Sequence, residues 1–505
     1  MVANIDIHLK EIIQNSIDIP VSITSKTKLF KKIYNHCDDI KFQNITCEAE
    51  RYLLLSVGGL TDVEKLDQEV IKPIKQFHSG CTNLKNLEAG FTYLSNTKML
   101  TQVLEVIEEL AIGNAVLFNN IEKRALSFSV STFDKRAIEE PQAESVIHGP
   151  REGFIESNET NISLVRRKIK TPSLKMEAIK IGTYSQTDIS ISYIEGIVNQ
   201  VVVEEVKKRL NRIDVDAILS SSVIEEGIED SWFSTFPQVQ STERPDVTAA
   251  ALLEGRVAIF VDGSPFVLIV PVTLFTILQS PDDYNERFFN GTFVRWIRYF
   301  SLLVALVAPS VYIAVLTFHQ EMIPTTLLLR VAQSREEIPF PAFFEALLME
   351  VVFEVLREAG LRLPKQMGST VSIVGTLVIG QAAIQAGLVS APMVMIVAIT
   401  GISSFMIPQY SAGIAIRWLR FPIMFLASGL GLLGMMLAII LLVSHLCILR
   451  SFGIPYLTPL APLYLSSLKD VLIRVPLRFI KKRPPFYASE NLIRRKDDLS
   501  NENSE

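Results

Sequence analysis

From Gln366 to Ile416 the chain runs for 51 residues without one Asp, Glu, Lys, Arg or His, and a second uncharged apolar run, Phe421 to Ser444, follows four residues later. A bilayer core about 30 Å thick needs roughly 20 apolar residues to be crossed as a helix, so the first run has the length for two crossings and the second for one. Tyr299 to Phe318, with a kink expected at Pro309, supplies another. In hydrocarbon every backbone amide has to be satisfied within its own segment, which selects helices over loops and open sheet edges. The sequence therefore predicts an α-helical transmembrane domain of about four spans over 291–449. A basic tail, 450–505, follows, and its charged end after Ser489 is expected to be disordered.

At 505 residues the chain exceeds what one core organises, and its composition divides accordingly. Residues 1 to 290 hold most of the 103 charged side chains, and their longest uncharged run, 263–281, is broken by Pro265 and Pro271, which predicts a water-soluble half. A net charge of -5 argues against a nucleic-acid binder, which would carry a clustered basic face. Cys37, Cys47, Cys81 and Cys447 form no CxxC pair and no zinc-like spacing with His8, His36, His78 or His148, so free thiols and no metal or cofactor are expected. The first residues, MVANIDIHLKEIIQNS, lack the basic start and apolar middle of a signal peptide, which predicts a cytoplasmic N-terminal domain. Arg287, Arg295 and Arg298 before the first span and Arg450, Arg474, Arg478, Lys481, Lys482 and Arg483 after the last place both termini in the cytoplasm, which requires an even number of crossings. Arg417 and Arg420, like Arg357, Arg362 and Lys365, sit badly with that orientation, and the segment whose reading stays open is Phe340 to Ala359.

Two α/β lobes are expected in the soluble half, 1–134 and 135–290. In the first, Lys26–His36, Asp62–Phe77, Thr82–Leu94 and Thr101–Ala111 have helical spacing, RYLLLSV (51–57) reads as a buried strand, and Asn114–Val130 as a hairpin. In the second, TDISISYI (187–194) alternates as a strand and Val198–Ile213 switches to helical spacing. Val257–Val272 folds back at Asp262-Gly263, where glycine accepts positive φ without a Cβ clash. HGPREGF (148–154) reads as a tight connection whose Arg151 pairs with Glu144, Glu152 or Glu156, with an anion held on its amides as the alternative. Arg166, Arg167, Lys168 and Lys170 form a solvated or partner-facing basic face. Asp246 stands near a helix N-terminus, where a carboxylate favours the free amides. No GxSxG, HExxH, Walker loop or GxGxxG stands in a suitable context, so an enzyme is not expected.

The apolar half carries more information. Gln366, Ser369, Ile373, Thr376 and Gly380 share one helical stripe of small and polar residues. Such a stripe serves either close helix packing or the lining of an ion pathway, and a ring of copies would use it for both. In PFPAFFEALLMEVVFEVLREAG (339–360) an apolar side opposes Glu350, Glu354 and Glu358. An amphipathic helix at 340–359, lying along the membrane surface, accounts for this pattern, as does a ring of carboxylates that attracts cations.

Three stretches carry a family resemblance: EPQAESVIHGPREGFIESNETNISLVRRKIK (140–170), FPQVQSTERPDVTAAALLEGRVAIFVDGSPFVLIVPV (236–272), and Phe318 to Val394, continued in RSFGIPYLTPLAP (450–462). They resemble the A subunit of GerA-type spore germinant receptors over about 350 residues, from Lys135 to Pro485. The resemblance implies an integral protein of the spore inner membrane that acts with a permease-like B subunit and a lipoprotein C subunit. Nutrients are then sensed mainly by the B subunit, and A subunits self-associate in a ring as a ligand-gated ion channel that starts germination. On that reading Gln366, Ser369, Ile373, Thr376 and Gly380 line the pore and Glu350, Glu354 and Glu358 attract cations. The alternative is a non-conducting scaffold. A secondary transporter would show paired halves, and no internal repeat is apparent.

Overall fold

A computed structural model describes residues 17–47, 50–76, 97–131, 148–362, 379–488 and 491–494, with single positions at 84, 87, 140, 141, 144 and 146. The first lobe begins with helix α1 (Ile23–Ile33) and strands β1 (Ile40–Cys47) and β2 (Glu50–Val57), followed by a helical stretch over 63–76. Strand β3 (Thr97–Leu100), helix α2 (Val103–Ile112) and the hairpin β4 (Ala115–Phe118) and β5 (Ala125–Phe128) complete it. The sheet is antiparallel in the order β1-β2-β4-β5-β3. Leu53 and Leu55 pack with Phe30, Val106 and Phe118 on one face, while Leu54 packs with Val70, Leu117 and Leu126 on the other. Burial on both faces is why RYLLLSV is a continuous apolar run and not an alternating one.

The second lobe repeats this path. Helix α3 (Asn158–Lys168), strands β6 (Leu174–Ile181) and β7 (Thr187–Ile194) and helices α4 (Gln200–Leu210) and α5 (Ser221–Ile228) precede strand β8 (Gln240–Thr242). Helix α6 (Pro245–Glu254) and the hairpin β9 (Val257–Val261) and β10 (Val267–Val270) close the sheet in the order β6-β7-β9-β10-β8. Both lobes thus use the same strand order. The turn into the hairpin is shared too: α2 ends at Gly113 and α6 at Gly255, each with φ 98°, and each strand starts two residues later. The repeat that was not apparent in the sequence is therefore present in the backbone.

Arg166 is not on a solvated face. It is 6% exposed, and its Nε and Nη2 donate to both carboxylate oxygens of Asp39 at 2.7 and 2.9 Å, tying α3 to the first lobe. Beside it, Asp38 N donates to Met176 O and Met176 N to His36 O, both at 2.9 Å, so the two sheets are joined by main-chain bonds. Arg151 pairs with none of Glu144, Glu152 and Glu156 but with Glu140, at 3.1 Å, while Glu152 is taken by Lys168.

After two short helices, α7 (Leu274–Leu278) and α8 (Asp282–Asn285), the described residues are mainly helical: α9 (Phe288–Phe318), α10 (Thr325–Arg335), α11 (Ala342–Arg362), a helical segment at 379–385, α12 (Ala391–Phe405) and α13 (Tyr410–Ile448). Among the described residues, α9 and α13 are long and apolar enough to cross a membrane; the expected four spans are not confirmed.

The expected single span Phe421–Ser444 is interrupted inside α13. Gly431 has φ 63° and ψ -142°, outside the helical region, and a Cβ on Gly434 would stand 2.1 Å from Leu426 O. Gln409 Nε2 donates to Ser241 O and His445 Nε2 meets Ser234 Oγ. On one straight helix Gln409 and His445 would be about 54 Å apart, whereas the seven residues from Ser234 to Ser241 span at most about 25 Å. Helix α13 is therefore a hairpin of two arms, with the reversal packed against Phe318 and His319 at the far end of α9. Its return arm leads to β11 (Arg450–Ser451) and β12 (Ile454–Pro455), which dock on the second lobe through Ser451 Oγ to Gln238 O, 2.8 Å, and Tyr456 OH to Pro237 O, 2.8 Å. The tail is packed at Tyr487 and Ala488, which are 2% and 4% exposed. Against the disorder expected after Ser489, residues 491–494 bond back to it through Arg483 N to Leu492 O, 2.8 Å, and Arg494 N to Lys481 O, 2.9 Å; 489, 490 and 495–505 lie outside the described residues.

Candidate functional site

Helix α11 packs lengthwise against α9, α12 and α13, with its acidic side turned into the bundle. Glu345 and Glu350 are fully buried, whereas Phe344, Leu348, Val351 and Val355 of the opposite side are exposed. This corrects the expectation of a helix lying on a membrane surface with its carboxylates in water. The polar face is inward and the apolar face outward.

Each inward carboxylate meets an arginine. Glu350 pairs with Arg420, which is 1% exposed and whose Nε also donates to Ala305 O at 2.8 Å. One turn on, Glu354 pairs with Arg357 and lies 3.5 Å from Arg417. Glu345 accepts from Ser390 N at 2.7 Å and from Ser390 Oγ, and lies 3.6 Å from Arg335. Glu358 is nearer solvent and pairs with Arg362 at 2.7 Å. Burying a charge is tolerated only when it is paired and hydrogen-bonded, and removal of either partner leaves the other stranded at a cost of about 3–5 kcal/mol. The row therefore holds α11 in one register against α13. Arg417 and Arg420, which sat badly with a simple topology, are the partners of Glu354 and Glu350. Two arginines between long uncharged runs were the signal, since a charge in such surroundings needs a named partner.

Of the expected pore-lining residues, Gln366, Ser369, Ile373 and Thr376 lie outside the described residues. Gly380 is buried facing α12, where an added Cβ would come to 3.6 Å from Val394. Among the described residues no group of three or more His, Cys, Asp or Glu is placed to hold a metal ion.

A second polar feature escaped sequence reasoning. Where the second lobe meets the α12–α13 turn, a cavity of about 570 Å³ is lined by Glu144, Arg244, Glu254, Tyr284, Gln409 and Asp470, among others. Arg244 is fully buried and bonds both oxygens of Asp246 at 3.1 and 2.7 Å, so Asp246 serves as an arginine partner beside the start of α6. Burial pushes the Glu144 carboxyl up to about 7, against the Thr242 hydroxyl that donates to it at 2.6 Å. Burial likewise raises Glu254 and Asp470. The residues come from four distant parts of the chain, which is why no local pattern announced them.

With this geometry in view, the chain matches the family model described as Bacillus/Clostridium GerA spore germination protein over residues 28–486. It is 46% identical to Spore germination protein KA of Bacillus subtilis (strain 168), over 93% of this chain and 87% of that one. It is 44% identical to the uncharacterized membrane protein YfkQ of the same organism, over 96% and 95%. Among solved structures it is similar to the N-terminal domain of the A subunit of the Bacillus megaterium spore germinant receptor GerK3, at 30% identity and a TM-score of 0.41, over 51% of this chain and 97% of that chain.

Proposed function

Because the chain belongs to the GerA spore germination protein family, we propose that it is the A subunit of a nutrient germinant receptor in the spore inner membrane, converting nutrient binding at a partner subunit into ion release. The observation that carries this reading is the family match across nearly the whole chain, soluble lobes and helices alike. The permease-like B subunit and the lipoprotein C subunit are its partners, and it performs no enzymatic step.

The helix directions support a multi-pass arrangement with both termini on the cytoplasmic side. Helix α9 starts against the second lobe, where Arg298 bonds Leu278 O and Asp283, and ends beside Gly431. Helix α12 packs against Ile313 and Met424 near its start and ends at the cavity beside the lobe. The two arms of α13 then leave and return. These are four passes, and the count stays even if α11 and the segment after it add a pair.

In the reading as a channel, copies form a ring through the exposed apolar sides of α11 and α13, and Gln366, Ser369, Ile373, Thr376 and Gly380 line the path. Glu350, Glu354 and Glu358 attract cations when their arginine pairs open, so the paired arrangement is the closed state. Nutrient binding shifts that equilibrium only if the liganded partner contacts the open form more favourably. Ion flux from liposomes holding the receptor subunits tests this. Blockade of a Thr376→Cys variant by a thiol reagent and reduced cation selectivity in Glu354→Gln are expected; unchanged flux in both removes the pore assignment.

A non-conducting scaffold is the second reading. It is favoured by the charge balance, since Glu345, Glu350 and Glu354 face four guanidiniums, those of Arg335, Arg357, Arg417 and Arg420. Flux that persists without this subunit would select it.

A further inference from the structure

We infer that the loop between α5 and β8 is a membrane anchor: Trp232 and Phe233 sit in the lipid interface and hold the second lobe against the bilayer. The inference rests on the membrane reading above. Trp232 and Phe233 are 85% and 83% exposed, and their rings stand edge to face with centroids 5.5 Å apart. They are not on a loose loop. Gln238, fully buried, accepts from Ser231 N at 2.9 Å and donates to Ser231 O at 2.7 Å, closing the loop at its base. Asp230 is held by Arg209 at 2.7 Å and by Phe452 N at 2.7 Å, and Phe236 is buried beside His445 and Tyr456. A base fixed on every side leaves the two aromatic rings directed outward.

What lies beside them decides the partner. Ser234, one residue past Phe233, bonds His445 in the last turn of the α13 return arm, so the rings stand at the foot of that arm. The same stretch of α13 exposes Leu437, Leu441 and Ile448, and Arg450 follows, exposed, at its end. An apolar helix surface that ends in a Trp-Phe pair and an arginine matches the belt where aromatic rings settle at headgroup depth. Each ring brings roughly 150–250 Å² of surface, mostly apolar and favourable to remove from water. Glu225, Glu226 and Glu229 nearby exclude attraction to anionic headgroups as the driving force, so the anchor is insensitive to salt.

Tryptophan quenching by brominated lipid tests this on the full chain in liposomes. A Trp296→Phe, Trp418→Phe variant keeps Trp232 alone. A second variant carries Leu437→Trp with all three native tryptophans changed to Phe. Trp232 is expected to emit to the blue and to lose most emission to bromines near the head of the acyl chain, and the Leu437→Trp reporter to bromines near its end. Quenching of that reporter without quenching of Trp232 overturns the anchor and leaves the membrane reading standing. Quenching of neither removes both. Blue-shifted Trp232 emission without quenching assigns the pair to a second protein surface and also overturns the anchor. If the multiple changes impair folding, the difference between the unaltered chain and Trp232→Phe gives the same readout.

Discussion

The two lobes have one backbone plan and two interiors. In the first, the turn after α2 is followed by Asn114, whose Nδ2 donates to Glu109 at 2.6 Å. At the equivalent place in the second stands Arg256, which bonds Pro271 O at 2.9 Å and Gln240 Oε1 at 2.8 Å and lies over the Tyr487 ring. Among its described residues the first lobe buries Lys26, bonded to Asn119 O and Glu122 O, Glu109, bonded to Asn114 and Ser127, and Asp39 at its edge. The second is threaded with arginines that reach its own strands, the tail and the cavity beside the helices. A shared strand order thus sets the shape, while the contacts to the helical region, through Ser234, Pro237, Gln238 and Ser241, are made by the second copy.

The largest expected effect tests whether the copies act as one body. Arg166→Ala strands the buried Asp39 carboxylate and should cost about 3–5 kcal/mol; thermal unfolding measures it, and scattering should show the lobes parting. The double change Asp39→Leu, Arg166→Leu should recover much of the loss, and no recovery would mean that the contact is more than an ion pair. A middle-sized effect separates the two turns. Arg256→Ala removes charge-assisted bonds worth about 1.5–3 kcal/mol each, against about 1 kcal/mol for Asn114→Ala, so equal losses in denaturant midpoints would erase the contrast.

The smallest effect is in pH, and it has opposite sign in the two lobes. Burial lowers Lys26 to about 8, with Glu122 working against it, so between pH 8 and 10.5 the unfolded chain binds more protons. First-lobe stability should rise across that window. Glu144 is raised to about 7, so from pH 4.5 to 7 the folded form holds the extra proton and its contribution is lost as pH rises. Hydrogen exchange at several pH values reads both, with Lys26→Met and Glu144→Gln each flattening its own profile.

Sequence patterns revealed what is local. Strand β7 stands where alternation put it, and β9 and β10 form the expected hairpin, with Gly263 at positive φ but with a connection of residues 262–266 in place of a two-residue turn. Strand β1 did not announce itself because it lies at the sheet edge with only Ile40 and Ile45 buried, which leaves no apolar period to read. The duplication was hidden because cores accept different side chains of suitable volume on one backbone. What survives is little more than GNAVLF at 113–118 beside GRVAIF at 255–260. In the helical region the acidic stripe of α11 was legible but its direction was not, since which side of an amphipathic helix faces inward depends on the solvent around the bundle. The reversal at Gly431 was invisible for a related reason: apolar residues flank it on both sides, and only a backbone angle marks it.

That reversal has a mechanical consequence. Both feet of the folded α13, Gln409 and His445, stand on one short stretch of the second lobe, Ser234 to Ser241. Movement of that stretch carries both feet together, so the pair swings about its tip at Phe318 as a stiff lever instead of splaying apart. A displacement of the lobe would reach the Gly431 end of the hairpin as a tilt.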